Sequence, residues 1–363
     1  MACPANSRET KIGVGKVVQA DLSTPNTSAE IISFTITNPA PFTVTPLTED
    51  NATDIGKGDE FPTEIYPVSM DVTGRIEKFI SSQAAAWAFA FGLGGVTATP
   101  AGTGTKYVCI PTDPAVACID LPPFTVANQI RPGADAFLDQ AYLGCVIAGF
   151  TLSLESGPGR SNARLSIDIV GTGEVLDPSG ITIPDPLPED FLNAASATIN
   201  VGGIDYVLQK SFISAEISWT VNPRLDTGYY PGSGVDDNGY AKRGRMEYES
   251  RMAGMTFVAR ATKGSPEYNA LMARTEGPTK VTLTGALIDA GPEAHKIEVE
   301  FPRSVISAAT NGDANGLVTI NCTVKPLKHA TLGYAIFTAT TTLPGIDSLA
   351  HSHEPPAEQP VAA

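Results

Sequence analysis

The chain has 363 residues, with 24 Lys and Arg against 39 Asp and Glu and a net charge of −15. That balance argues against a protein that grips nucleic acid, because tight phosphate binding runs on basic side chains and counterion release. Hydrophobic residues at 42% and charged residues at 17%, with 34 Gly and 29 Pro, point to a folded, mainly β chain of many strands joined by turns, and the length suits two domains.

Taken from the N-terminus, Met1–Thr10 lacks the apolar core of a signal peptide, so we expect a chain made and kept in a cytosol. A long Gly/Pro/Asp-rich loop is expected over about Asn38 to Glu64, then a strand over Ile65–Gly74. From Arg75 to Phe91 the residues Ile76, Phe79, Ile80, Trp87 and Phe91 recur at helical spacing, and the glycines from Gly92 end the helix. The apolar run Ala84–Ala98 is too short to cross a bilayer, and no membrane segment is expected. Gly102-Thr-Gly-Thr-Lys106 lacks phosphate-loop spacing and reads as a turn. A short strand, Lys106–Pro111, and an extra segment, Thr112–Gln140, lead to the clearest hairpin: Phe150, Leu152 and Leu154 alternate with polar residues, Ser156–Asn162 turns, and Leu165, Ile167 and Ile169 alternate back.

A Pro-rich connection over about 177–195 reads as a linker between a first domain, 1–176, and a second, 196–343. The second half offers another long loop, about Asn222 to Glu249, and a strand over Ser250–Ala261. A helix starts at Ser265-Pro-Glu267, buries Tyr268, Leu271 and Met272, and stops at Gly277. After a short strand, Lys296–Pro302, a hairpin turns at Asn311–Gly316 and returns with Val318, Ile320, Cys322 and Val324 on one face. Residues 344–363 are Pro/Ala-rich, unpatterned and expected to be disordered. Ser28-Ala-Glu-Ile31 recurs as Ser214-Ala-Glu-Ile217, and loop, strand, helix, short strand and hairpin follow in the same order in both halves, which suggests an internal duplication.

Chemistry is scarce. Five scattered cysteines, Cys3, Cys109, Cys118, Cys145 and Cys322, form no Cys-x-x-Cys pair and read as reduced, mostly buried thiols. His351 and His353 fall in the tail, and neither His295 nor His329 has an evident nucleophile or orienting acid in the sequence, so no catalytic residue, cofactor or metal is expected. Asp236-Asp-Asn-Gly239 reads as an acidic turn. The one basic cluster, Lys242, Arg243 and Arg245 with Arg251, lies among Tyr229, Tyr230, Tyr240 and Tyr248, an interface-like mixture that marks a candidate subunit or ring contact.

Gly58-Asp-Glu-Phe-Pro62, Ser69-Met-Asp-Val-Thr-Gly74, the helix with Trp87 ending at Gly92-Leu-Gly-Gly95, Tyr142-Leu-Gly-Cys145 and Thr151-Leu-Ser-Leu-Glu155 together resemble siphophage tail tube proteins over about residues 10–180. The second half joins that resemblance through the proposed repeat. The resemblance implies two tandem tail-tube-like domains, each a β-sandwich or open β-barrel with one flanking helix, and a subunit whose sheets join laterally into rings with a continuous β-barrel lumen, which polymerise as a stack around passing DNA. For a duplicated chain it implies a trimeric, pseudo-hexameric ring, with the tape measure, tail terminator and distal tail proteins as further partners and DNA held only transiently in the lumen. Assembly in the host cytoplasm and location in the virion follow; separately, a lumen lined by polar and acidic side chains is expected, because a duplex moving through a narrow pore must not be held by counterion-releasing contacts. Rival readings are a capsid decoration or tail-tip protein, a carbohydrate-binding adhesin and an unrecognised hydrolase; an adhesin should expose its aromatics, whereas Trp87 and Trp219 lie on apparent core faces.

Overall fold

The computed structural model describes residues 7–38, 42–51, 62–111, 121–130, 138–157, 162–206, 210–230, 232–236, 239–244, 246–262, 264, 266–289, 291–314, 316–343 and 345–346. Its first half runs through β1 (Thr10–Gly15), β2 (Ile31–Ser33), β3 (Phe42–Asp50), β4 (Ile65–Phe79), helix α1 (Ser82–Leu93), β5 (Val96–Ala101) and β6 (Gly104–Cys109). It continues through β7 (Phe124–Ile130), β8 (Leu138–Glu155), β9 (Ala163–Gly171) and β10 (Val175–Leu176). The second half holds β11 (Ala197–Val201), β12 (Ile204–Asp205), β13 (Phe212–Arg224), β14 (Glu247–Arg260), helix α2 (Pro266–Ala273), β15 (Glu276–Leu287), β16 (Ala294–Ala314), β17 (Leu317–Pro326) and β18 (Ile336–Thr341).

The protein is mainly β, and antiparallel pairing links all its described strands into one network. In the first half the pairing order is β1-β7-β8-β9-β4-β3. In the second it is β11-β15-β16-β17-β14-β13, the same path strand for strand. Even the irregularities correspond: β8 carries one extra residue between Ile147 and Gly149 against β9, and β16 carries one between Ile306 and Ala308 against β17. The halves meet where β13 lies along β8, from Ser214↔Glu155 to Thr220↔Gly149, and again where β18 lies along β6.

The shared path is not the one that the four-residue identity suggests. Ser28–Glu30 forms a 3-10 turn ahead of β2, whereas Ser214–Ile217 lies inside β13. The pairing counterpart of β13 is β3, which crosses the stretch expected as a loop; Lys296–Pro302 is part of the long β16, whose counterpart is β8 rather than Lys106–Pro111. Short identities carry little when tertiary pairing decides conformation.

The first helix starts later than its apolar spacing suggests. Residues 75–79 belong to β4, where Arg75 and Glu77 face water and Ile76 and Lys78 face inward, a period of two. The helix begins where Ser81 Oγ accepts the Ala84 N–H and ends at Gly94, whose left-handed φ of 79° lets its N–H reach the Ala90 carbonyl. Every residue of α1 is buried, as an all-round apolar helix must be, so it is enclosed by strands rather than laid on a surface. Trp87, Phe89 and Phe91 join Phe124, Phe150 and Phe337 at ring separations of 5.1–5.5 Å, and Trp87 Nε1 donates to the Gly15 carbonyl. Each such ring stabilises the core by roughly 1.5–3 kcal/mol.

In α2, Tyr268 and Leu271 pack on the core but Met272 is 82% exposed, and the helix ends at Ala273 because Arg274 adopts a positive φ; Gly277 lies in β15. The core is continuous across both halves. The connection 177–195 is strapped to the first half: Ile181 and Ile183 pack on Ile31 and Ala127, Leu187 N–H donates to Ser33, and Leu192 N–H donates to Ile80. Of the expected disordered tail, Ile346 is fully buried, and 347–363 lie outside the described residues. Cys109, Cys145 and Cys322 are buried free thiols, the last pushed up to about 12 chiefly by burial; Cys3 and Cys118 are not described.

Candidate functional site: a wet sheet face and two free edges

The internal joint turns the two halves into one long sheet, β3-β4-β9-β8-β13-β14-β17-β16. Alternation puts Val72, Ile167, Leu152, Ile217, Phe257 and Cys322 into the core from successive strands. The opposite face is wet. One row across it reads Glu77, Ser166, Thr151, Ser218 and Gly254, each directly opposite the next. Its basic groups, such as Arg75, Arg164 and Arg260, stand among acids such as Glu77, Asp168 and Glu216. Arg75 Nε reaches Glu77 at 3.3 Å and Asp168 at 3.7 Å; burial raises the Asp168 carboxyl, Arg75 opposes that, and Glu77 adds to it. The face is therefore polar and mixed in charge rather than predominantly acidic.

Among the described residues, no strand pairs with the outer edge of β3, nor with the edge of β16 beyond Val305 that faces away from β17. Bare strand edges invite pairing with another chain. The tip of the β3–β4 ribbon also exposes Leu47 and Ile65 at 42% and 70%, and the β16–β17 tip exposes Leu317 and Val318 at 48% and 62%, beyond the buried Ile320, Cys322 and Val324. The sequence signal for β3 was its Phe-Thr-Val-Thr alternation, hidden inside a Pro/Gly-rich stretch.

The basic and aromatic cluster is partly consumed within the chain. Arg243 is 3% exposed; its guanidinium donates to the Thr172 carbonyl at 3.0 Å and binds the Asp71 carboxylate and the Leu225 carbonyl at 2.5 Å each, with the Tyr229 ring 5.0 Å away. Lys242 pairs with Glu174 at 2.7 Å, and Ala241 N–H donates to the Val68 carbonyl. These bonds fold the β13–β14 loop of the second half onto β4 and the end of β9 in the first. Tyr230 is 48% exposed and donates to Glu247, Tyr240 and Tyr248 are half-buried, and Arg251 lies over the Tyr248 ring at 5.5 Å; Arg245 lies outside the described residues.

Two polar clusters, one enclosed and one reaching the surface at Asp190, were invisible in the sequence because their members lie far apart in it. Lys78 and Glu189 form an enclosed ion pair, with side chains 0% and 1% exposed. Glu189 also accepts from Ser81 Oγ at 2.6 Å and from the Thr35 N–H at 2.9 Å. His295, inside β16 rather than ahead of a strand, meets Ser82 Oγ through Nδ1 at 2.8 Å and Asp190 Oδ2 through Nε2 at 3.0 Å. A hydroxyl, an imidazole and an acid thus stand in triad order, contrary to the expectation that His295 lacks such neighbours. An attacking hydroxyl must come within about 3–3.5 Å of a substrate carbonyl. Ser82 has no exposed surface at all, so the trio joins α1, the connection and β16 as packing.

Trp87 and Trp219 are 0% and 1% exposed, which leaves neither for a sugar-binding platform. Among the described residues no group of acids, histidines and cysteines is arranged to hold a metal, and no helix is long and apolar enough to cross a membrane. No curated protein matches the chain. A family model described as phage tail tube protein matches residues 8–343, which takes in both halves of the strand path, and the chain belongs to the phage tail tube protein family.

Proposed function

We propose that this structural tail subunit closes into trimeric, pseudo-hexameric rings that stack into the tube of a siphovirus tail, with the wet face of the long sheet turned toward the lumen. The repeated pairing order carries the reading: residues 1–176 and 196–343 each supply one tube-forming unit, joined by 177–195, so a trimer of chains presents a pseudo-hexamer of units. Hydroxyl side chains with bases set among acids suit a duplex that must slide, because isolated cations flanked by carboxylates release few counterions and hold phosphate weakly. The exposed surface of the β13–β14 loop, with Tyr230 and Tyr240, contacts neighbouring subunits or rings, while Arg243 and Lys242 shape that loop from within. The tape measure, terminator and distal tail proteins cap or fill the tube, assembly takes place in the host cytoplasm, and the subunit performs no catalysis.

Native mass spectrometry of the purified protein is expected to show a species of three chain masses, each 37.9 kDa, and electron microscopy at high concentration to show hollow tubes. A ring of six chains, or a protein that stays monomeric at every concentration, would contradict the proposal.

A further inference from the structure

Resting on that reading of the wet face as the lumen wall, we infer that each ring carries a belt of arginines, Arg164 from the first half and Arg260 from the second, that contacts the phosphates of a passing duplex. The ligand is double-stranded DNA, met through its backbone and without regard to sequence.

The strand registers put the two arginines at matching places. The extra residues in β8 and β16 align the halves: just beyond them Gly149 faces Asp168 and Ala308 faces Thr323, and across the next pairing stand Arg75 and Thr256. Four residues further along β4 and β14, the pair Phe79–Arg164 therefore matches the pair Arg260–Thr319. Both arginines are exposed on the wet face, since their chain neighbours Leu165 and Ala259 point into the core. In a ring whose pseudo-sixfold axis relates the halves, matched pairs stand at one height, and the two members of a pair lie about 5 Å apart, less than the reach of an arginine side chain. Three chains thus set six guanidinium groups around one level of the lumen.

Nearby charges on this face are not shared between the halves. Arg75 matches Thr256, Glu77 matches Val258 and Asp168 matches Thr323. At the level of Arg164 and Arg260 the halves agree, and they agree on a side chain whose planar fork takes phosphate oxygens in pairs. The direct cross-strand neighbours are uncharged: Phe79 and Ser153 beside Arg164, and Thr319 beside Arg260. Acids stand one step off, with Glu77 and Glu155 diagonal to Arg164 at about 7–8 Å. They weaken the hold without cancelling it, so the belt brushes a sliding backbone rather than clamping it. Its grip falls as salt rises, because each phosphate contact releases counterions that salt drives back.

The test uses tubes assembled from the full chain around a short labelled duplex and then treated with nuclease, so that only enclosed DNA survives. Wild-type tubes are expected to protect duplex at about 50 mM salt and at least about tenfold less of it at about 200 mM. R164Q/R260Q is expected to lower the low-salt value at least about fivefold, whereas K280Q/K296Q, which removes the same charge from the paired lysines and Glu298 away from that face, should leave it unchanged. If the double variant does not assemble, R164Q and R260Q singly, each expected to lose at least about twofold, carry the same comparison. Arginine variants that protect as much duplex as wild type, an equal loss in K280Q/K296Q, or wild-type tubes that protect none at low salt would overturn the belt and leave the ring reading intact. Duplex that binds the tubes but stays open to nuclease would take the wet face out of the lumen, and the belt with it. Labelled polyglutamate protected in place of duplex would overturn the phosphate assignment in favour of an acidic polypeptide. Wild-type protein that never assembles would remove the ring reading and the belt together.

Discussion

Replacing Glu189 by Ala is expected to destabilise the subunit by about 3–5 kcal/mol, the loss typical when one partner of a buried ion pair is removed. The size follows from what is left behind: among the described residues the Lys78 ammonium, with no exposed side-chain surface, keeps only the face of Phe34 at 4.5 Å, and the Ser81 hydroxyl and Thr35 N–H lose their acceptor. The double variant K78M/E189L, which removes both charges and fills the space with apolar groups, should recover most of the loss. Urea unfolding midpoints of the three proteins measure this. An E189A midpoint close to that of the wild type would show that the pair does not hold the connection onto the first half.

The same pair has a pH signature of definite sign. Burial pulls Lys78 down to about 8, against the opposing pull of Glu189, while an unfolded lysine titrates near 10.4. Below about pH 8 both states carry the proton and the full cost of burying the ammonium is present. Between about 8 and 10.4 the folded state gives up its proton first, the unfolded state binds more, and stability rises with pH. The stability of wild type relative to K78M should therefore increase between pH 7 and pH 10, by up to about 3 kcal/mol. A difference that is flat or falls with pH would contradict the assignment.

The parts of the fold legible in the sequence were those governed by local alternation. The β8–β9 and β16–β17 hairpins follow from alternating apolar residues and the turn clusters between them, because a strand half-exposed to water must alternate. The start of α1 was ambiguous for a physical reason: Ile76 and Ile80, four apart, satisfy helical spacing and also a period of two, and only the outward Arg75 and Glu77 distinguish them. Ser81, the true cap, was present in the sequence but masked by the apolar run before it. The order of elements suggested a repeat, and the two halves do share one strand-pairing order, but Ser-Ala-Glu-Ile aligns them wrongly, since register is set by partner strands and not by four shared letters. The Lys78–Glu189 pair and the contacts of His295 with Ser82 and Asp190 could not be read at all, because separations of 111 and 213 positions in the chain leave no periodic trace. Free edges are likewise a property of the assembled sheet.

Truncating Trp219 to Ala is expected to cost about 3–5 kcal/mol, the range for deleting a large buried aromatic. Trp219 occupies the inner joint: it pairs with Phe150 across β13 and β8, its ring stands 6.3 Å from Phe337 of β18, and its indole N–H donates to the Gly92 carbonyl at the end of α1 at 2.9 Å. Trp219→Phe should cost less, losing mainly the bond to Gly92, a carbonyl that burial would leave unsatisfied at about 1–3 kcal/mol. The pattern of unfolding is the sharper measurement. Because the core runs unbroken from α1 through Phe150 and Trp219 to Phe337, hydrogen exchange in both halves should accelerate together in Trp219→Ala, with one denaturation midpoint for probes in β4 and in β14. If β14 lost protection while β4 kept it, the inner joint would be a contact between independently folding domains, and the cavity would be felt on only one side of it.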